Sequence, residues 1–257
     1  MEKKYLFFDI DGTLTDRSTG EIVPSAREAL TRLEENGHFV AIATGRAHYK
    51  ARKFTDANGF KNMVCCGGNG CVIDNELVEN IPLDKDGCIK IIHQAEELGY
   101  GWCVALDDTK DVYMTDDKFL RQVGKRKEPT RYIIDDMLEV EKADAIYKVY
   151  VAIPKEDEEK LTTKELVGHL RFEPEYLMFQ PDNKRGGIIK MMEHLNADIK
   201  DVVVFGDDYN DMDMFCPEWF SIAMGNACQD IKDIANYVTD SNVDDGIKNA
   251  CEHFGWI

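Results

Sequence analysis

Tyr5-Leu6-Phe7-Phe8 is a run of four apolar, β-prone residues that stops abruptly at Asp9-Ile10-Asp11-Gly12. A run with no polar position has both faces buried, which marks a strand inside a parallel sheet covered by helices. The device recurs. Phe39-Val40-Ala41-Ile42-Ala43 ends at Thr44-Gly45-Arg46, residues 62–66 end at Gly67-Gly68-Asn69-Gly70, and Val202-Val203-Val204-Phe205 ends at Gly206-Asp207-Asp208. Helical patterns separate these runs. Ser25 and Glu28 have the spacing of a capping box, Leu30 and Leu33 give the following helix an apolar face, and Gly37 stops it. A second helix is expected over residues 47–58 and a third from Gly187 to Leu195, with Ile188, Met191, Met192 and Leu195 on one side. Two more short strands are expected at Phe220 to Ala223 and Tyr237 to Thr239. Alternation of strand and helix with short connections predicts an α/β class, a Rossmann-like core around a parallel sheet.

The middle of the chain reads differently. Ile89 to Leu98 and Glu156 to Val167 have helical patterns, while Tyr147-Lys148-Val149-Tyr150-Val151-Ala152-Ile153 alternates with period two. Alternation predicts an antiparallel sheet with one solvated face. The expected organisation is a core of residues 1–83 and 182–257 interrupted by an α+β domain of residues 84–181. The acidic run Lys155-Glu156-Asp157-Glu158-Glu159-Lys160 is expected to be a solvated helix start.

Composition narrows the classes of partner. Lysine and arginine number 31 against 49 aspartates and glutamates, a net charge of −18, which repels nucleic acid and anionic lipid. No stretch approaches the ~20 apolar residues of a membrane helix, and Met1-Glu2-Lys3-Lys4 leads straight into a strand with no apolar signal region. The eight cysteines contain no Cys-x-x-Cys pair, so reduced thiols in a cytoplasmic protein are expected rather than a zinc site or a disulfide framework.

Ligands of open α/β sheets bind at the carboxyl ends of the strands. Those ends carry Asp9 and Asp11, then Thr44, Gly45 and Arg46, then Asn69, then Asp207, Asp208, Asn210 and Asp211. Carboxylates gathered at a buried strand end need a compensating cation, and a hard, oxygen-loving ion such as Mg²⁺ suits them. Alternation along a strand predicts that Asp9 and Asp11 point to the same side. Asp9 is placed to attack phosphorus, and Asp11 to protonate a leaving oxygen and then deprotonate water. Gly12 allows a tight turn whose amides face a phosphate, Thr44 and Gly45 supply a hydroxyl and an amide, and Lys184 is the candidate fixed cation. Arg46 and Asn69 are candidates for touching the substrate.

The segments Asp9-Ile10-Asp11-Gly12-Thr13-Leu14, Thr44-Gly45-Arg46, Lys184 and Gly206-Asp207-Asp208-Tyr209-Asn210-Asp211 resemble, in this order, the four motifs of the haloacid dehalogenase superfamily. Ile222-Ala223-Met224-Gly225-Asn226-Ala227 and Asp244-Asp245-Gly246-Ile247 resemble its Cof-type hydrolases. The resemblance implies Mg²⁺ and an aspartyl-phosphate intermediate. Asp9 would be nucleophile and metal ligand, and Asp11 acid/base and ligand through its backbone carbonyl. Asp207 would be the third protein ligand, Asp211 would support the metal, and Thr44, Gly45, Lys184 and Asn210 would hold the phosphate. The insert between the second and third motifs resembles a type-two cap, which would close over the site. Where many relatives have Lys-Gly, this chain has Lys184-Arg185-Gly186-Gly187, which leaves Lys190 as a rival to Lys184. The implied activity is a phosphatase of small phosphorylated metabolites such as sugar phosphates. The alternatives are a phosphomutase on the same core, which would need the insert's Arg121, Arg126, Arg131 and Arg171, or a non-catalytic phosphometabolite-binding protein.

Overall fold

The computed structural model describes residues 2–126 and 130–257. In chain order the elements begin with β1 (Tyr5–Phe8), α1 (Pro24–Glu35), β2 (Phe39–Ala43), α2 (His48–Asn58), β3 (Met63–Cys65), β4 (Gly70–Ile73) and β5 (Glu76–Asn80). The middle contains α3 (Lys85–Glu97), β6 (Trp102–Ala105), β7 (Asp111–Met114), α4 (Lys118–Val123), β8 (Arg131–Ile134), β9 (Lys148–Val151), β10 (His169–Glu173) and β11 (Tyr176–Phe179). The chain closes with α5 (Lys184–His194), β12 (Val202–Gly206), β13 (Phe220–Ala223), α6 (Gln229–Ile234), β14 (Tyr237–Val238) and α7 (Gly246–His253). These elements form two compact units. One comprises residues 1–46, 51–79 and 183–257, and the other residues 47–50 and 80–182.

The first unit is built on an eight-stranded sheet of order β14-β13-β12-β1-β2-β3-β4-β5. The strands from β14 through β3 are parallel. The apolar runs explain why. Leu6 and Phe8 enter a core with Leu30 and Leu33 of α1 and Ile247 and Ala250 of α7, while Phe7 packs with Ile188, Met191 and Met192 of α5 on the opposite face. Each strand therefore needs apolar residues at consecutive positions.

Two expectations fail here. α1 starts at Pro24 with Val23 as its N-cap, and no side chain caps it. Proline fits the first helical position because its missing N–H was an orphan anyway. Ser25 thus falls inside the helix, its buried hydroxyl without a partner among the described residues, and Glu28 pairs with Lys248 at 3.1 Å instead of reaching back to the helix start. The sheet is also not wholly parallel, because β4 returns antiparallel to β3, pairing Cys65 with Gly70. Cys66, Gly67 and Gly68, all at positive φ, reverse the chain.

The second unit has a six-stranded sheet of order β10-β11-β9-β6-β7-β8, antiparallel except for β7 with β8. Asp84 caps α3 by accepting from the Gly87 N–H at 2.9 Å. The helix lays Cys88, Ile91, Ile92 and Ala95 on Val104, Val149, Val151 and Leu177. The opposite face is not solvated as its alternation predicts. Cys103, Tyr150, Ala152 and Met178 are buried there together with Phe119 of α4. No α-helix forms over Glu156 to Val167, where two short 3₁₀ turns stand instead. Gln94 accepts from the N–H and hydroxyl of Thr163, and Glu158 is taken by Arg171 and Lys164. These tertiary bonds replace the helical ladder that residues with no apolar stripe could not anchor.

Among the described residues all eight cysteines are free thiols. No helix among them is long and apolar enough to cross a membrane.

Candidate active site

β1 lies between β12 and β2 with Phe8 opposite both Phe205 and Ile42. That register brings Asp9, Thr44 and Asp207 out at one edge of the sheet. The Asp9 N–H still donates to Phe205 O at 3.1 Å, which carries the first aspartate down to the β12 end.

Lys184 closes the arrangement. It is fully buried, and its ammonium donates to Asp9 Oδ1 at 2.7 Å and to Asp211 Oδ1 at 2.5 Å. Its position is set by the turn after β3. Asn183 donates from its N–H to Gly67 O at 2.9 Å, and its side chain accepts from the Gly186 N–H to cap α5. Gly68 (φ +102°) packs so tightly here that a Cβ would lie 1.9 Å from Asn183 O. Lys190, the rival lysine, faces Glu79 at 3.8 Å and takes no part in the cluster. The Arg185 inserted after Lys184 turns its guanidinium to Glu218.

Ligand atoms of Asp9, Asp207 and Asp211 lie within 4.8 Å of one another, and all three residues are buried. The second Asp211 oxygen accepts from the N–H groups of Asp207 and Asp208, at 3.0 and 3.2 Å. Asp207 Oδ1 accepts from the Thr13 hydroxyl at 2.9 Å, and its Oδ2 from Arg17 at 2.7 Å. Gly12 holds φ +97°, and a Cβ there would lie 2.3 Å from Asp207 Oδ2, so only glycine lets this loop close on the carboxylate. Asn226 fastens the same loop by donating to Gly12 O at 2.8 Å.

Electrostatics follow from burial. Asp9 is pushed up to about 6, first by loss of water and then by the charge of Asp211, against the pull of Lys184. Asp207 is likewise pushed up to about 6, by burial and by the charge of Asp9, with Thr13 and Arg17 opposing. Burial raises Asp211 as well. For Lys184, burial works against the ammonium, but Asp211 and Asp9 outweigh it and hold it protonated. Three buried carboxylates thus face one buried ammonium and a half-exposed arginine, a deficit that a divalent cation fits.

Asp11 sits elsewhere. Its side chain is 66% exposed while that of Asp9 is 7% exposed, so the shared orientation expected of them is not what the chain adopts. β1 ends at Phe8, and beyond it the strict alternation no longer holds. Arg46 donates to both oxygens of Asp11 at 2.7 Å and lies over the Phe54 ring, 5.6 Å from its centroid. Thr44 is buried, its N–H on Val64 O and its hydroxyl oxygen accepting from the Arg46 N–H, with Gly45 between them. Asn69 ends the 3₁₀ turn that follows β3, and Asn210 lies in the turn that follows β12.

Thr13, Arg17 and Asn226 bear directly on the cluster and were not singled out as site residues by the sequence. Thr13 and Asn226 lie inside the motifs at residues 9–14 and 222–227, and nothing in the spacing of Arg17 marks it.

A profile of the haloacid dehalogenase-like hydrolases matches residues 6–250. The Bacillus subtilis (strain 168) protein YkrA is 30% identical over 260 residues, covering all of both chains. The pyridoxal phosphate phosphatase YbhA of Escherichia coli (strain K12) is 28% identical, with 96% of this chain and 97% of that one covered. Among solved structures, a Geobacillus kaustophilus HTA426 protein superposes with a TM-score of 0.83 at 26% identity, all of both chains covered. The HAD subclass IIB sugar phosphatase BT4131 superposes at 0.77 with 25% identity, covering 99% of this chain and 100% of the other. The chain is therefore an enzyme, a phosphoric monoester hydrolase, and belongs to the haloacid dehalogenase-like hydrolases.

Proposed function

We propose that the protein is a Mg²⁺-dependent phosphatase of small phosphorylated metabolites, sugar phosphates or similar compounds, working through an aspartyl-phosphate on Asp9. The observation that carries this reading is the Lys184 ammonium shared between Asp9 and Asp211, with Asp207 alongside. It fixes a carboxylate oxygen in place and sets a positive charge beside the site where a phosphoryl group gains negative charge.

Asp9, Asp207 and the backbone carbonyl of Asp11 would hold the Mg²⁺, with Asp211 supporting it. When bound, the ion neutralises phosphate oxygens and the buried carboxylates together. The carboxylate oxygen of Asp9 forms a bond to phosphorus as the bond to the ester oxygen breaks, and Asp11 delivers its proton to that oxygen. Water then attacks phosphorus, Asp11 takes up the water's proton, and the Asp9–phosphorus bond breaks to release phosphate and restore the carboxylate. Gly12, Thr44, Gly45, Lys184 and Asn210 hold the phosphoryl oxygens, and Asn69 lies within the substrate's reach. Arg46 holds the Asp11 carboxyl in place until a substrate displaces it.

The test is phosphate release from a broad panel of phosphorylated metabolites, with and without Mg²⁺, using Asp9→Asn as control. Release that requires both the metal and Asp9 supports the reading. No release from any compound of the panel overturns it.

A further inference from the structure

The second unit contains four arginines, and three have carboxylate partners. Arg121 Nε lies 2.8 Å from Asp117, Arg131 pairs with Asp111 through two nitrogens, and Arg171 Nε lies 2.7 Å from Glu158. Arg171 is fixed further by the carbonyls of Ile153, Glu173, Pro174 and Tyr176. Arg126 is different. Among the described residues no carboxylate pairs with it, although the unit is rich in aspartate and glutamate.

Its surroundings supply donors and rings instead. The guanidinium lies over the Tyr150 ring, 3.9 Å from the centroid, and Nη2 donates to the Thr130 hydroxyl at 2.8 Å. Nε is buried and meets no acceptor among the described residues. The Tyr132 hydroxyl accepts from the Arg126 backbone N–H at 3.0 Å. Burial pushes the neighbouring Cys103 thiol up to about 12, so it offers no negative charge. Both hydroxyls spend a lone pair on Arg126 and keep their hydrogens to donate. A guanidinium and two O–H groups thus share one place, with no carboxylate among the described residues. Burial works against the guanidinium, and the Tyr150 ring and hydroxyl offset this without supplying a carboxylate. The residue as a whole is only partly buried, although Nε itself is sealed from solvent.

We propose that Arg126, with Thr130 and Tyr132, forms an oxyanion-binding site in the second unit, suited to a carboxylate or a phosphate. Planar guanidinium forks match such oxygens two at a time, and stacking on Tyr150 holds the fork flat. The proposal concerns this unit alone and does not depend on the phosphatase reading. The oxyanion could be carried by a phosphorylated metabolite or be a separate small anion, and the test distinguishes the two.

The test follows the Arg126 Nε–H resonance by NMR in the full chain, assigned by its absence in Arg126→Lys. Inorganic phosphate and acetate are titrated at ionic strength held constant with chloride. The expected result is a saturable shift of that resonance with either oxyanion and none with chloride. Phosphate bound at the aspartate cluster would move other signals only. A resonance that stays still, or follows chloride equally, overturns the proposal and leaves Arg126 a stacking residue. Kinetics with Arg126→Gln then separates the sources. A rise in KM of about tenfold for 2-phosphoglycolate but not for ethyl phosphate places the oxyanion on the substrate. Unchanged KM for both, beside a retained NMR response in the wild type, assigns a separate anion.

Discussion

Asp9 and Asp11 stand two residues apart on one loop, yet they live in different solvents. Asp9 is buried, bonded to a buried lysine, and pushed up to about 6 by loss of water and by the Asp211 charge. Asp11 is exposed and held at the surface by Arg46. The same side chain is thus rigid and costly in one place and accessible and cheap in the other. A nucleophile needs a fixed oxygen, whereas a proton carrier needs to reach first an ester oxygen and then a water. In the proposed reaction, environment more than sequence position would divide the labour between them.

The largest expected effect comes from the buried partner. Asp9→Asn should lower phosphate release by at least about 10⁴-fold, as expected for loss of a nucleophile. The metal-free protein should keep its stability within about 1 kcal/mol, since the amide still accepts from Lys184 and one repelling charge is gone. Urea unfolding in EDTA measures the second half, and a variant that retains activity would remove Asp9 from the chemistry. Lys184→Met should cost about 10²–10³-fold in rate. It should also cost about 3–5 kcal/mol in stability, because two buried carboxylates lose their cation. If its urea midpoint matched that of the wild type, the cluster would not be coupled as its distances imply.

Burial also sets a pH dependence. Asp9 and Asp207 are raised from 3.8 to about 6, so between these values the folded chain binds more protons than the unfolded one. Stability from these groups is therefore full below about pH 4 and lost as pH rises through about 6, by a few kcal/mol in all. Asp211 is raised too and acts in the same direction. Urea unfolding in EDTA across this window should show the fall. Added Mg²⁺ favours the ionised carboxylates and should flatten or reverse it. A profile unchanged by the metal would mean that the three aspartates do not bind it together.

The strand ends were legible because each apolar run stops where its sheet stops. Asp9, Thr44 and Asp207 could be found that way. Lys184 is favoured over Lys190 by its spacing to Gly206, and the packing of Gly68 on Asn183 is the tertiary fact that sets its position. Arg17, Thr13 and Asn226 were not read because each acts across some 190 to 214 residues of chain, through a side chain that would look ordinary in any loop. Local signals misled where the fold outbid them. The spacing of Ser25 and Glu28 suggested a cap, but Pro24 starts the helix and Glu28 serves Lys248. The solvated face expected of β9 is instead closed by Phe119, sequence-remote and on another element.

The smallest expected effect tests the exposed partner. Arg46→Ala removes a two-oxygen grip on Asp11, but Asp11 is largely in water, so the pair should contribute no more than about 1 kcal/mol to stability. Activity should fall by about tenfold through kcat, because Asp11 loses orientation while its carboxylate remains. Arg46→Lys should recover only part of the loss, since lysine lacks the planar guanidinium that lies over the Phe54 ring. The comparison rests on this contrast in size. A stability loss as large as that of Lys184→Met would mean that the Asp11–Arg46 pair is structural, and that accessibility does not separate the two aspartates.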